Sequence, residues 1–176
     1  MKENIILKAH DLILENINKD SIVVDATCGN GHDTLFLAER VKLVYAFDIQ
    51  EEAIHQTQNR LKDFNNVKYI LDSHENILNY VTDYDGVIFN LGYLPGSDKL
   101  IKTNHRTTIK TLENLNQNKK GFILLVIYPG HLEGFIESVA ITSWLDKKNI
   151  KYRVIRNPYK TEKESPYIVF WNYNSF

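Results

Sequence analysis

The chain is expected to fold as an α/β protein: a mostly parallel, seven-stranded sheet with helices on both faces and an antiparallel hairpin at its C-terminal end. Three observations lead there. Apolar β-branched runs alternate with helical patterns along the chain, the order of a parallel sheet built from βαβ units. The first of those runs ends in a glycine loop that opens a helix, Ile22-Val23-Val24-Asp25-Ala26-Thr27-Cys28-Gly29-Asn30-Gly31-His32-Asp33-Thr34. The last two runs are joined by residues 158–166, which carry prolines and no helical pattern, so they pair as a hairpin.

Taken in order, an opening helix covers about residues 5–17, with Ile6, Leu7, Ala9, Ile13, Leu14 and Ile17 in roughly helical spacing. Strands are expected near 22–26, 43–47, 67–71, 85–90 and 121–127. Helices are expected near 33–40, 51–63, 75–80, 103–117 and 132–148. The hairpin strands fall near 151–157 and 166–172. No repeat, linker or low-complexity segment interrupts this series, so residues 1–176 are expected to form a single domain.

Composition narrows the function classes. No apolar run approaches the roughly 20 residues that span a bilayer, and Met1-Lys2-Glu3-Asn4 lacks the regions of a signal peptide. A cytoplasmic protein is expected. Cys28 is the only cysteine, which excludes a disulfide framework and a thiolate metal cluster. It is expected to pack rather than to act as a nucleophile. The six histidines form no His-x-x-x-His pair, so no metal site is expected. The net charge of −1 hides an asymmetry: residues 1–98 carry 8 basic and 16 acidic side chains, −8, and residues 99–176 carry 13 and 6, +7. Local positive surface of that kind suits phosphate.

The glycine loop lets a nucleotide-like cofactor approach bare backbone. A second strand, Val41–Phe47, ends in Asp48, where a carboxylate can accept from a ribose diol. Dinucleotide and S-adenosylmethionine (SAM) sites both use that device. The loop separates them: Thr34 stands where a dinucleotide fingerprint wants a third glycine or alanine, and Asp25 suits a ligand carrying an ammonium group. The balance favours SAM, although Asp25 can also cap the loop through backbone N–H groups.

By the geometry of strand ends, Asp25, Ala26, Thr27, Gly29, Asn30 and Gly31 are expected at the methionine end, with His32, Asp33 and Thr34 at the following helix start. Asp48 and Gln50 are expected on the ribose and Ile49 on the adenine face. Asp72, Ser73 and His74 are expected to border the adenine, Asp72 also being a candidate helix cap. The fourth strand ends in Asn90-Leu91-Gly92-Tyr93-Leu94-Pro95-Gly96, which should face the reacting methyl. This segment resembles the Asn-Pro-Pro-Tyr element of amino-nitrogen methyltransferases, with Leu91 and Gly92 in place of the prolines.

These segments, with Tyr128-Pro129-Gly130-His131-Leu132-Glu133-Gly134, resemble the YtqB/MnmM family of small rRNA methylase-like proteins through essentially the whole chain. The resemblance implies a class I, Rossmann-like, SAM-dependent methyltransferase. The substrate it implies is the 5-aminomethyl group on the wobble (2-thio)uridine in the anticodon stem-loop of tRNA. Alternatives are a SAM enzyme acting on rRNA, a protein amine or a small amine, and a non-catalytic nucleotide-binding module.

Within that frame Asn90 is expected to bind the amine and Tyr93 to stack on the substrate, with Leu91, Gly92, Leu94, Pro95 and Gly96 around them. His131 and His105 are the candidate proton acceptors, and His10 is a candidate cover for the cofactor. Tyr128 and Tyr159 can stack on unpaired bases. Lys99, Lys102 and Arg106 follow the catalytic loop and are the expected phosphate contacts. A second basic group contains Lys147, Lys148, Lys151, Arg153, Arg156, Lys160 and Lys163. A chain of this size is expected to carry no appended RNA-binding domain, and a second subunit in a homodimer would then extend the surface.

Overall fold

The computed structural model describes residues 4–92, 104–160 and 162–175. Its seven strands are β1 (Ile22–Asp25), β2 (Leu43–Asp48), β3 (Val67–Leu71), β4 (Gly86–Asn90), β5 (Phe122–Ile127), β6 (Arg153–Arg156) and β7 (Tyr167–Asn172), and its helices are α1 (Ile5–Leu14), α2 (His32–Ala38), α3 (Glu51–Arg60), α4 (His105–Asn118) and α5 (Leu132–Lys147). They form one sheet in the order β3-β2-β1-β4-β5-β7-β6. Strands β1 to β5 run parallel to one another, and β7 is antiparallel to both β5 and β6.

The hairpin has the expected direction, but its two strands divide the positions unequally: β7 lies beside β5, and only β6 is at the edge. Burial explains the choice. Tyr167, Ile168, Val169, Phe170 and Trp171 are all buried, whereas Arg153 and Val154 on β6 are exposed. The more apolar strand takes the position covered on both faces.

Alternation along the strands feeds two cores. Ile123, Leu125 and Ile127 of β5 pack on one side with Leu112 and Leu115 of α4 and Ile141, Trp144 and Leu145 of α5. Phe122, Leu124 and Val126 pack on the other with Ala9, Leu12 and Ile13 of α1 and Leu37 of α2. Gly86 of β4 is needed in the second layer, because a Cβ there would stand 2.2 Å from the Phe122 ring.

Among the differences from expectation, which include α3 ending at Arg60 instead of 63, two have a visible cause. The opening helix stops at Leu14 instead of running to 17, since the Asn16 amide nitrogen returns to the Leu12 carbonyl at 2.8 Å and so competes with a further helical turn. The segment expected as a helix at 75–80 is a six-residue 3-10 helix, His74–Asn79, capped by Ser73. Asp72, Asn76 and Tyr80 brace it from the side, with Asp72 accepting from the other two at 2.9 and 2.8 Å.

Candidate cofactor and amine site

Parallel strands place their carboxyl ends together, and the loops after β1, β2 and β4 meet there. The β1 loop is stitched in on both sides. Ala26 N–H donates to the Ile88 carbonyl and Cys28 N–H to that of Phe47, both at 2.9 Å. Asn90 N–H donates to Thr27 Oγ1 at 2.7 Å. Gly29 and Gly31 have positive φ, +52° and +84°, and a Cβ on Gly31 would stand 3.0 Å from Thr57. Those backbone states explain both glycines. From α3, Thr57 donates to the Gly29 carbonyl at 3.0 Å and Arg60 to that of Asn30 at 2.7 Å. Neither brace was anticipated, although their spacing of three on a helix puts them on one face.

Two carboxylates anchor the cradle. Asp25 is 1% exposed and accepts from Thr34 Oγ1 at 2.7 Å and Thr27 N–H at 3.2 Å. Burial, and next the nearby charge of Asp33, push its pKa up to about 7, against the hydrogen bonds from Thr34 and Thr27. Asp25 therefore does cap the loop, as its alternative role foresaw. Asp48 accepts from Gly29 N–H at 3.1 Å and Gln50 N–H at 3.0 Å, and burial raises its pKa. Each carboxylate oxygen has a second lone pair, so the diol of a ribose can still be bound.

Two observations fit this cradle to SAM. The Asn30 Oδ1 is buried with no hydrogen-bond partner among the described residues, an acceptor left over for a polar ligand group. Ile49 and Leu71 are apolar yet 58% and 54% exposed, and Leu71 pairs in register with Asp48. They offer a flat ring an apolar shelf beside Asp48. Leu71 was not among the expected residues; its place as the last residue of an apolar strand is the signal that could have found it. Cys28 is buried, and burial pushes its thiol pKa up, in keeping with a packing role.

Of the third strand's expected trio, Asp72 and Ser73 remain at the strand end, while His74 turns into the core. Its Nδ1 lies 2.6 Å from Thr111 Oγ1 on α4, and burial lowers its pKa to about 4. His32 is exposed, with Nε2 3.4 Å from Arg60.

Asn90 closes β4 at the centre of the site. Its Nδ2 donates to Asp33 Oδ2 at 3.2 Å, and the same side chain, acting as a donor, holds the Tyr128 pKa down against burial. Burial raises the Tyr128 pKa to about 12, helped by the Asp33 charge, so its hydroxyl keeps its proton. Asp33 Oδ1 lies 2.7 Å from His10 Nε2 on α1. Leu91 is buried, which leaves only its main chain to face a ligand, and Gly92 sits against the Tyr128 ring. His131 caps α5, its Nδ1 accepting from Gly134 N–H at 3.1 Å. His105 opens α4, and its Nδ1 is buried with no hydrogen-bond partner among the described residues. Arg106 is exposed in the same turn. Tyr93, Leu94, Pro95, Gly96, Lys99 and Lys102 lie outside the described residues.

The family model described as "Putative rRNA methylase" matches residues 44–172. The chain belongs to this family. It is 33% identical to the tRNA (mnm(5)s(2)U34)-methyltransferase, chloroplastic, of Arabidopsis thaliana, over 85% of this chain and 64% of that protein. The chain thus spans less than two thirds of that curated relative's length. Among solved structures, a "putative methyltransferase" from Streptococcus mutans in complex with SAH is 30% identical, with 98% and 99% of the two chains covered and a TM-score of 0.86. An rRNA methylase from Streptococcus thermophilus is 32% identical over 97% and 96%, with a TM-score of 0.77. As a family member the chain has the class I fold, with β7 inserted antiparallel between β5 and β6. Among the described residues no helix is long and apolar enough to cross a membrane, and no group of His, Cys, Asp and Glu is arranged to hold a metal.

Proposed function

We propose that this protein transfers a methyl group from SAM to the 5-aminomethyl group of the wobble (2-thio)uridine in tRNA, giving the 5-methylaminomethyl base. The observation that carries the reading is Asn90: its Nδ2 is engaged by Asp33, which leaves Oδ1 to accept from an amine at the end of β4. The relative from Arabidopsis thaliana, named for a tRNA U34 methyl transfer, supports the choice of amine.

In this reading Asp48 and Gln50 hold the ribose, the Asp25 to Gly31 loop holds the methionine end, and Ile49 and Leu71 face the adenine. SAM supplies a methyl made electrophilic by its sulfonium; the amine nitrogen forms the new N–C bond as the C–S bond breaks, and SAH leaves. An alkylamine with a pKa near 10 is mostly ammonium at neutral pH and must first give up a proton. The half-buried Tyr128 surround disfavours the charged form, and the Asn90 oxygen, accepting from the neutral amine, orients its lone pair. In this reading His105, at the start of α4, and His131, the N-cap of α5, are the candidate acceptors of the proton.

RNA as the substrate class is supported by where the topology puts positive charge. Arg106 lies in the first turn of α4, and Arg156 ends β6, both at the carboxyl ends of the parallel strands, with Lys160 and Lys163 in the connection that follows. Lys119, Lys120, Lys147, Lys148 and Lys151 fall at the opposite end. Lys120 and Lys148 are also committed there to Asp83 and Glu113 at 3.0 Å each. The test is nucleoside mass spectrometry on tRNA from a deletion strain, and on that tRNA after treatment with pure enzyme and SAM. Accumulated 5-aminomethyl nucleoside that the enzyme converts supports the reading. Unchanged tRNA together with a lost rRNA methyl group would transfer the function to rRNA, as the family description favours.

A further inference from the structure

We infer that Asp33 is a positioning residue that fixes the orientation of the Asn90 amide, and that His10 on α1 fixes Asp33 in turn. The inference rests on the amine reading of Asn90 given above. An asparagine side chain offers an oxygen on one branch and an NH2 on the other, nearly equal in size. Only the oxygen can accept a hydrogen bond from a substrate amine; the NH2 would donate to the amine lone pair and occupy it. Something must therefore select one of two nearly isosteric states.

Asp33 makes that selection. A carboxylate accepts hydrogen bonds and does not donate them, so Oδ2 at 3.2 Å admits only the NH2 branch of Asn90. The backbone of Asn90 is pinned separately, by Thr27 Oγ1 at 2.7 Å and by the ladder between β4 and β5. With the main chain and the NH2 both held, the oxygen has one direction left. The carboxylate is itself held from behind. His10 Nε2 lies 2.7 Å from Oδ1, and the imidazole is stacked on Phe36 of α2 with centroids 3.8 Å apart and planes within 10°. The stack keeps the ring from turning, and the bond to Asp33 selects the tautomer that carries its hydrogen on Nε2. A helix with no residue at the strand ends thus reaches the reacting group in two steps.

The alternative is that Asp33 only favours the start of α2, as an acidic residue in a first helical turn. The experiment separates the two on the full chain with Asp33→Asn, Asp33→Ala, His10→Gln and His10→Phe. Loss of the lock should lower kcat on 5-aminomethyluridine tRNA by about tenfold or more in both Asp33 variants, with the KM for SAM little changed. His10→Phe keeps a ring on Phe36 and loses the donor, so it should fall towards the Asp33 variants; His10→Gln keeps a donor and should recover much of the rate. The side-chain amide of Asn90, assigned by its absence in Asn90→Ala, should exchange with solvent about tenfold faster in Asp33→Ala than in wild type. Unchanged exchange and unchanged kcat would overturn the inference, as would a loss of folding stability in the Asp33 variants with kcat intact. A wild-type enzyme inactive on the aminomethyl RNA would defeat the amine reading instead, and amide exchange would still decide whether Asp33 holds Asn90.

Discussion

The two sides of the site are built differently. Around β1 and β2 nearly every polar group is answered locally: Asp25 by Thr27 and Thr34, Asp48 by Gly29 and Gln50, the loop carbonyls by Thr57 and Arg60. Around β4 and β5 the strands are apolar, and the polar groups at their ends borrow partners from the other side. Asn90 takes Thr27 and Asp33, and the charge of Asp33 acts on Tyr128. A cofactor of one fixed shape suits a cradle satisfied before it arrives. A reacting amine needs a few groups aimed from several elements, and those are the groups that single substitutions should expose.

The largest effect is expected on the borrowed side. Asn90→Ala should cut turnover by about a hundredfold while leaving SAM binding nearly intact, because it removes orientation rather than a hold on the cofactor. Near-normal rates with tRNA would end the amine assignment, and a selective loss of SAM binding would move Asn90 to the cofactor side. The local side should respond in the opposite way. Asp48→Ala removes hydrogen bonds to a charged group, worth about 1.5–3 kcal/mol each, so calorimetry should find SAM affinity at least tenfold weaker.

A pH comparison sharpens the same contrast. Folding raises the Asp25 pKa from 3.8 to about 7, so the native state favours its protonated form. Its stabilising contribution is complete below the unfolded pKa and declines as pH rises towards 7. Wild type should therefore lose stability relative to Asp25→Asn between pH 5 and 7, by up to about 1 kcal/mol per pH unit, and the difference should level off above pH 8. A difference in melting temperature that stays flat from pH 5 to 8 would mean Asp25 is charged in the fold throughout. The smallest effect concerns surface charge. Removing Arg106, Arg156, Lys160 and Lys163 together should raise the KM for tRNA several-fold. It should also flatten the salt dependence by about 0.7–0.9 in log–log slope for each phosphate that is no longer neutralised. Lys147→Ala with Lys151→Ala should change neither. Equal behaviour of the two sets would detach the catalytic end from RNA.

Local patterning carried much of this molecule. Apolar runs, the positive-φ glycines and the carboxylates at strand ends are written in neighbouring residues, so β1 to β5, the loop at Gly29 to Gly31, Asp48 and Asn90 were legible from the chain alone. Helix ends and the 3-10 segment were less so, because side chains such as Asn16 and Asp72 outbid the helical pattern over one or two residues. What only the tertiary structure decided lies far apart in sequence. His10 meets Asp33 across 23 residues and Asp33 meets Asn90 across 57; His74 leaves the strand end for Thr111 on α4; and the basic residues divide between two ends of the sheet. No periodicity encodes such pairs. They follow from the order in which the strands stack, and that order is set by which strand can be buried on both faces.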